Sequence, residues 1–247
     1  MSQQVTIHCA GTGDAFGSGG RLNSCYHFSV ADKRFLVDCG SSALIGLQRY
    51  GLPAKDIDAI FISHLHGDHF GGIPYILLEG CFASKRKSPL LLVGPAGLQE
   101  RVEAACEALY RGTLSDGYGF PVNYLTLDPQ HPLSYGPLRV SCFPVNHGSS
   151  LAYGLKISTG EKTISYTGDS EWTENLVTLA KGSDLLIAEC VAYQHPVPSH
   201  LDFLTLQKNR ERLDCKRLVL THLGPEMLER INSLKMEVLQ DGQTLEL

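Results

Sequence analysis

The 247 residues are 43% hydrophobic and 19% charged, with a formal net charge of −5, the balance of an ordinary globular chain with a sizeable core. That charge gives no general attraction to nucleic acid or to an anionic membrane surface. No apolar run approaches the ~18–20 residues that span a bilayer, and the opening Met1-Ser-Gln-Gln-Val-Thr lacks the basic start and apolar core of a secretory leader. The eight cysteines (9, 25, 39, 81, 106, 142, 190 and 215) are scattered singly with no Cys-x-x-Cys pair. This pattern implies buried, reduced thiols and a cytoplasmic location.

Val5–Ala10 reads as a strand, followed by the glycine-rich loop Gly11–Gly20. The loop lacks Gly-x-Gly-x-x-Gly spacing, and Ser24–Val30 after it alternates like a strand, so a dinucleotide cradle is not expected. Asp32-Lys33 turns the chain into a second strand, Arg34–Asp38, making a hairpin. Ser41–Tyr50 has helical spacing and stops near Gly51-Leu-Pro53. Ala59–Ile62 is a strand, Ile73–Phe82 a helix or two short ones, Leu90–Val93 a strand and Ala96–Tyr110 a helix. The basic cluster Lys85-Arg86-Lys87 falls in a connecting loop and reads as solvated. Strands follow around Val122–Leu127 and Leu138–Val145, then a hairpin of Ala152–Ile157 with Thr163–Thr167. Glu174–Ala180 is helical, Leu185–Glu189 a buried strand, Leu201–Leu213 a helix, Arg217–Leu220 a strand, and Pro225–Leu234 a helix with proline in its favoured first turn. Glu237–Leu239 and Thr244–Leu247 read as a closing hairpin about Asp241-Gly242. With no linker, repeat or low-complexity tract, residues 1–247 are expected to form a single layered domain, sheets inside and helices outside.

The polar residues fall at strand ends. Apolar runs finish in Asp38, in the loop Ser63-His64-Leu65-His66-Gly67-Asp68-His69, in His147, in Asp169, in Glu189 and in His222. One such residue is ordinarily a turn or cap, but six runs ending this way would gather at one edge of a layered α/β fold. Imidazole and carboxylate without thiolate suit zinc, manganese or iron. Five histidines and two aspartates exceed the needs of one tetrahedral ion, which predicts two divalent ions, zinc first among them. His8 and His27, on the polar phase of their strands, and His131 and His195, in proline-adjacent loops, are expected at the surface.

His64-x-His66-x-Asp68-His69, with Asp38 before it and His147, Asp169 and His222 after it, resembles the metallo-β-lactamase superfamily, and the motifs cover nearly the whole chain. The resemblance implies a four-layer αββα sandwich. It assigns His64, His66 and His147 to one ion, Asp68, His69 and His222 to the other, Asp169 to both, and Asp38 to hydrogen-bonded support. Gly11-Thr-Gly13, Arg21-Leu-Asn-Ser24 and Asp184–Glu189 followed by Ser199-His200 look like the ribonuclease Z and phosphodiesterase branch. There a Glu–His pair assists leaving-group protonation, here Glu189 and His200. The sequence departs from that branch in two respects. Ala188-Glu-Cys-Val stands for its His-Glu-Ala-Thr-like segment, with Leu201 for the usual hydroxyl residue, and the 21 residues between His147 and Asp169 leave room for a hairpin but not for the long arm that grips transfer RNA.

The expected activity is that of a dinuclear metal-dependent hydrolase, a phosphodiesterase of small or single-stranded phosphodiesters. A metal-bridging hydroxide would attack, Asp68 would orient it, and His200 held by Glu189 would protonate the departing oxygen. Ester, thioester, lactone or sulfate-ester hydrolysis is the alternative on the same site. Transfer-RNA 3′ processing and a non-catalytic metal-binding role rank lower. The helices and loops Phe70–Ala83 and Tyr110–Phe120 are expected to shape the pocket. The sequence leaves open which metal is bound, which substrate is used, and whether the chain acts alone or as a homodimer.

Overall fold

The computed structural model describes residues 4–114 and 117–247. In chain order the first half forms β1 (Val5–Gly11), β2 (Cys25–Val30), β3 (Lys33–Val37), α1 (Ala43–Arg49), β4 (Ala59–Phe61), α2 (Gly67–Phe70), α3 (Ile73–Phe82), β5 (Leu90–Gly94), α4 (Leu98–Leu109) and β6 (Val122–Thr126). The second half forms β7 (Leu133–Tyr135), β8 (Leu138–Pro144), β9 (Tyr153–Ser158), β10 (Thr163–Tyr166), α5 (Glu174–Ala180), β11 (Ser183–Glu189), α6 (Phe203–Lys208), β12 (Cys215–Thr221), α7 (Pro225–Arg230), β13 (Glu237–Val238) and β14 (Thr244–Glu246).

Two seven-stranded sheets result, ordered β14-β1-β2-β3-β4-β5-β6 and β13-β12-β11-β10-β9-β8-β7. Each has an antiparallel part, built from hairpins, and a parallel part, from β3 to β6 and from β10 to β13. Side-chain alternation sets the layers. Val5, Ile7, Phe35, Val37, Phe61, Leu185 and Ile187 turn into the central layer between the sheets. Leu36 and Ile60 turn outward under α1, α3 and α4, and Leu186 and Ala188 turn outward under α5, α6 and α7. This is the αββα sandwich. In the central layer Phe28 stacks on Phe35 at 4.9 Å, and Phe35 meets Phe61 edge-on at 5.5 Å. Each such side chain contributes roughly 1.5–3 kcal/mol by leaving water.

Four readings of the sequence change here. The closing pair β13 and β14 is not a hairpin, because β13 pairs with β12 in one sheet and β14 with β1 in the other. The turn between them crosses the gap, and its Asp241 carboxylate accepts the N–H groups of Thr12 and Leu22 and the Thr12 hydroxyl. The basic loop is not wholly solvated, since the buried Arg86 guanidinium donates to the carbonyls of Ala54, Lys55, Ile57, Ser88 and Pro89. His27 is buried rather than at the surface, between Leu36 and His8 on its neighbouring strands. The long helix read over Leu201–Leu213 is only α6 with a 3-10 turn after it, capped by Asp202 accepting from the Thr205 N–H. His131 and His195 are exposed as expected. All eight cysteines are free thiols, and no helix of the described residues is long and apolar enough to cross a membrane.

Candidate metal centre and acid–base pair

The parallel strands bring the polar ends together. β3 and β4 run in one direction and finish beside each other, delivering Asp38 and Ser63-His64. In the second sheet β10, β11 and β12 are parallel, and β8 shares their direction through antiparallel β9, so His147, Asp169, Glu189 and His222 also follow one edge. The short helix α2 adds Asp68 and His69. The donor atoms of His64, His66 and His147 lie within 4.8 Å of one another, as do those of Asp68, His69, Asp169 and His222, and those of Asp169, Glu189, His200 and His222. Every site residue expected from the sequence is thus brought to one place, with Asp38 behind it. His66, Asp68, His147, Asp169, His200 and His222 line a single cavity of about 150 Å³.

Hydrogen bonds orient four of the imidazoles. The fully buried Asp38 carboxylate accepts the Ser63 N–H (2.8 Å), the Ser63 hydroxyl (2.8 Å), the Tyr166 phenol (2.9 Å) and His69 Nδ1–H (2.7 Å). His69 therefore commits Nδ1–H to Asp38 and turns Nε2 toward the cluster. Ser63, having donated to Asp38, accepts from His64 Nδ1 at 3.1 Å, which leaves His64 Nε2 bare. His147 Nδ1 donates to the Ser199 carbonyl at 2.8 Å. His66 sets Nε2 against the Ser150 hydroxyl and Nδ1 2.9 Å from His147 Nε2.

These residues fit bound cations. His64 Nε2, His69 Nε2 and Asp169 Oδ1 are buried without a hydrogen-bond partner, a costly state unless something else satisfies them. His69 Nε2 sits 3.1 Å from Asp68 Oδ2 and 3.3 Å from Asp169 Oδ2, so an imidazole and two carboxylates converge on one point. The charges agree. Burial opposes a proton on His69, yet Asp169, Asp38 and Asp68 outweigh it and raise its pKa well above the usual range. His222 is likewise pushed up to about 9, burial being overcome by Asp169 and Asp68. Surplus negative charge there calls for a cation. His64 and His147 are lowered, chiefly by burial, and so stand ready as neutral ligands.

Beside this cluster, Glu189 is fully buried, accepts the Ser170 N–H through Oε1, and accepts His200 Nδ1–H through Oε2 at 2.9 Å. Burial and the Asp169 charge raise the Glu189 carboxyl to about 7. Burial disfavours charge on His200, but the Glu189 hydrogen bond and charge outweigh it, so His200 is raised. The pair can carry a proton to the cavity.

Sequence reading missed the supporting residues. Ser63 stood inside the histidine motif with no role attached, and Tyr166 lay in an apolar strand, where a buried phenol needs an acceptor. The remaining cavity wall is Asp14, Ala15, Phe16, Val191 and Val197. Neither Phe70–Ala83 nor the described part of Tyr110–Phe120 lines the cavity. α3 instead packs into the outer core with α4, while Ser115 and Asp116 lie outside the described residues.

Fold and cluster together define a metallo-β-lactamase-fold, metal-dependent hydrolase, and the comparisons agree. The family model described as Anti-Pycsar protein Apyc1 matches residues 5–245, and the chain belongs to that family. It is 30% identical over 242 residues to the Anti-Pycsar protein Apyc1 of Bacillus phage BSP38, covering 92% of each. It is 29% identical over 225 residues to the probable metallo-hydrolase YhfI of Bacillus subtilis strain 168, covering 89% of this chain and 86% of that one. The YhfI crystal structure superposes with a TM-score of 0.82 at 24% identity over all of both chains. The short form of human tRNase Z gives 0.78 at 24% identity, covering 97% of this chain and 98% of that one.

Proposed function

We propose that the chain is a phosphodiesterase of small or single-stranded phosphodiesters, working with two divalent ions. Zinc suits the donors best, and manganese or iron is compatible. His64, His66 and His147 would hold one ion and Asp68, His69 and His222 the other. Asp169 would serve both, with its Oδ2 beside His69 and His222 and its Oδ1 buried without a partner. Bound, the ions supply an activated water and neutralise charge on the phosphoryl oxygens. Burial would raise the Asp68 carboxyl, but His69 and His222 hold it well below the usual range, so it stays an acceptor and orients the attacking water. Asp38, Ser63, Ser150 and the Ser199 carbonyl hold the imidazoles in register.

The observation that carries the phosphodiester reading is the Glu189–His200 pair. Phosphodiesters with alkoxide leaving groups need a proton as the bond breaks, and His200 lines the cavity with Nδ1 occupied by Glu189, so that Nε2 is its available nitrogen. A relative named ribonuclease Z points to the same bond class. In the chain itself the β9–β10 hairpin fills the interval between His147 and Asp169, which favours small or unstructured substrates over folded transfer RNA. The test is a substrate panel with the zinc- or manganese-loaded protein. Bis-p-nitrophenyl phosphate and cyclic nucleotides should be cleaved. Hydrolysis of a thioester or lactone without any phosphodiester cleavage would overturn the assignment.

A further inference from the structure

We propose that Phe16 is a stacking platform for the nucleobase of a nucleotide substrate, making it a specificity-determining residue at the mouth of the cavity. This rests on the phosphodiesterase reading and names the part of the substrate that the metal cluster does not touch. The first observation is exposure. Phe16 is 92% exposed, the most exposed large apolar side chain of the described residues, yet it lines the same cavity as His66, Asp68, His200 and His222. Val197, 38% exposed, lines that cavity too. A lone exposed aromatic is unremarkable on a surface, but one at the rim of a reaction cavity is placed against whatever projects from it.

The second observation is rigidity. The buried Asp14 carboxylate accepts from the Phe16 N–H (3.2 Å), the Ser18 N–H (2.8 Å) and the Ser18 hydroxyl (2.6 Å), and its carbonyl accepts from Asn23 Nδ2 (2.9 Å) and the Gly17 N–H (3.2 Å). Gly17 turns the chain at φ 65° directly after Phe16, a conformation that side chains resist. At its base Gly13 bridges to Leu223, next to His222. The backbone that carries Phe16 is therefore fixed beside the cluster, where a merely solvated loop would need no such scaffold.

The third is size. A cavity of about 150 Å³ is smaller than the ~300–1,000 Å³ that encloses a drug-sized ligand. It has room for the reacting phosphate and part of a sugar, so a base would lie outside, against the rim. An aromatic face there binds any base without reading its edge, because every base presents a π-face.

The test compares nucleoside 2′,3′- and 3′,5′-cyclic phosphates with the corresponding base-free ribose cyclic phosphates, in wild type, Phe16→Ala and Phe16→Trp. Stacking predicts that Phe16→Ala lowers kcat/KM for the nucleotides roughly ten- to hundredfold, mainly through KM, with a much smaller change for the base-free compounds and recovery in Phe16→Trp. Binding without turnover gives a second readout. Trp172 is the sole tryptophan, so the fluorescence of Phe16→Trp in a Trp172→Phe background reports on position 16 alone. It should be quenched when a nucleoside monophosphate, which a phosphodiesterase does not turn over, is added to zinc-loaded protein, and not by ribose 5-phosphate. Equal effects on nucleotide and base-free substrates, or no quenching, overturn the proposal. So does a Phe16→Ala variant whose only change is its oligomeric state by analytical ultracentrifugation. If no phosphodiester is cleaved at all, the functional reading fails, and the fluorescence experiment still decides for or against the platform.

Discussion

Replacing Asp38 by asparagine should disarm both sets of proposed ligands, although Asp38 belongs to neither. The placement of protons decides the outcome. In the native structure one carboxylate oxygen accepts from the Ser63 hydroxyl, the Tyr166 phenol and His69 Nδ1–H, and the other accepts from the Ser63 N–H. An amide NH2 in the place of the first oxygen must itself donate. The two hydroxyls can turn and accept, but His69 can accept at Nδ1 only by moving its proton to Nε2, the nitrogen it offers to the cluster. Once the Ser63 hydroxyl turns, it donates to His64 instead and forces the same exchange there. Outer partners of this kind typically carry 10–100-fold of metal affinity, about 1.4–2.8 kcal/mol at ~1.4 kcal/mol per tenfold. If the amide sits the other way round, the buried Ser63 N–H is stranded and the cost, ~1–3 kcal/mol, falls on stability. Competition of Asp38→Asn and wild type against a chromophoric chelator for zinc, together with thermal melts of both metal-free proteins, measures the two outcomes. Wild-type zinc affinity and stoichiometry with an unchanged melt would show that Asp38 does not control the imidazoles.

Other parts of the molecule are open to similar tests. His200→Ala should cost ~10²–10⁴ in rate on a nucleotide diester with an alkoxide leaving group and far less on bis-p-nitrophenyl phosphate, whose leaving group needs no proton; equal losses on both would remove His200 from the proton transfer. Burial lowers His27 from 6.5 to about 4, with His8 and Arg34 adding to the effect. The unfolded chain therefore binds this proton first: stability from His27 is complete above pH 6.5 and is lost as pH falls from 6.5 toward 4. The loss is at most ~3 kcal/mol, and urea midpoints across that range should flatten in His27→Leu. Arg86→Met keeps much of the volume but strands several of five carbonyls, which predicts a destabilisation of about 3 kcal/mol or more by chemical denaturation with the metal affinity retained.

The proposed ligands were legible in the sequence because strand-end chemistry is local. A run such as Ala59–Ile62 announces its own burial, and the residues directly after it are carried to the sheet edge whatever the strand order. Partners that depend on the packing of distant segments were not legible in this way. Ser199 and Ser150 support His147 and His66 through one carbonyl and one hydroxyl, and neither residue type signals such a task. The C-terminal strands misled because a turn about Asp-Gly between two short apolar runs is the ordinary mark of a hairpin. Only the reach of Asp241 to Thr12 and Leu22, more than two hundred residues away, reveals that the turn joins two sheets. Arg86 misled for a related reason, since a basic triplet shows charge but not the five carbonyls that converge on its middle member.

Backbone strain marks the same residues as the chemistry. Asp38 (φ 57°), Ser199 (φ 69°) and His222 (φ 58°) are three of the five non-glycine residues with positive φ among those described, and such conformations cost of order 1–3 kcal/mol each. Glycine would relieve the strain at any of them, as it does at Gly168 beside Asp169 (φ 59°). At Asp38 and His222 the side chain is itself the functional group, so the strain stays and the neighbours hold it. The Asp38 N–H donates to the Phe61 carbonyl at 2.8 Å, and the His222 N–H to the Thr12 carbonyl at 3.0 Å. Each bond is made to the strand or loop alongside, so the direction of the carboxylate and of the imidazole is set by the first sheet and its glycine-rich loop. The loop that displays Phe16 at the rim thus also helps to aim His222, and the position of the proposed base platform is tied, through one stretch of backbone, to the position of the proposed ligand.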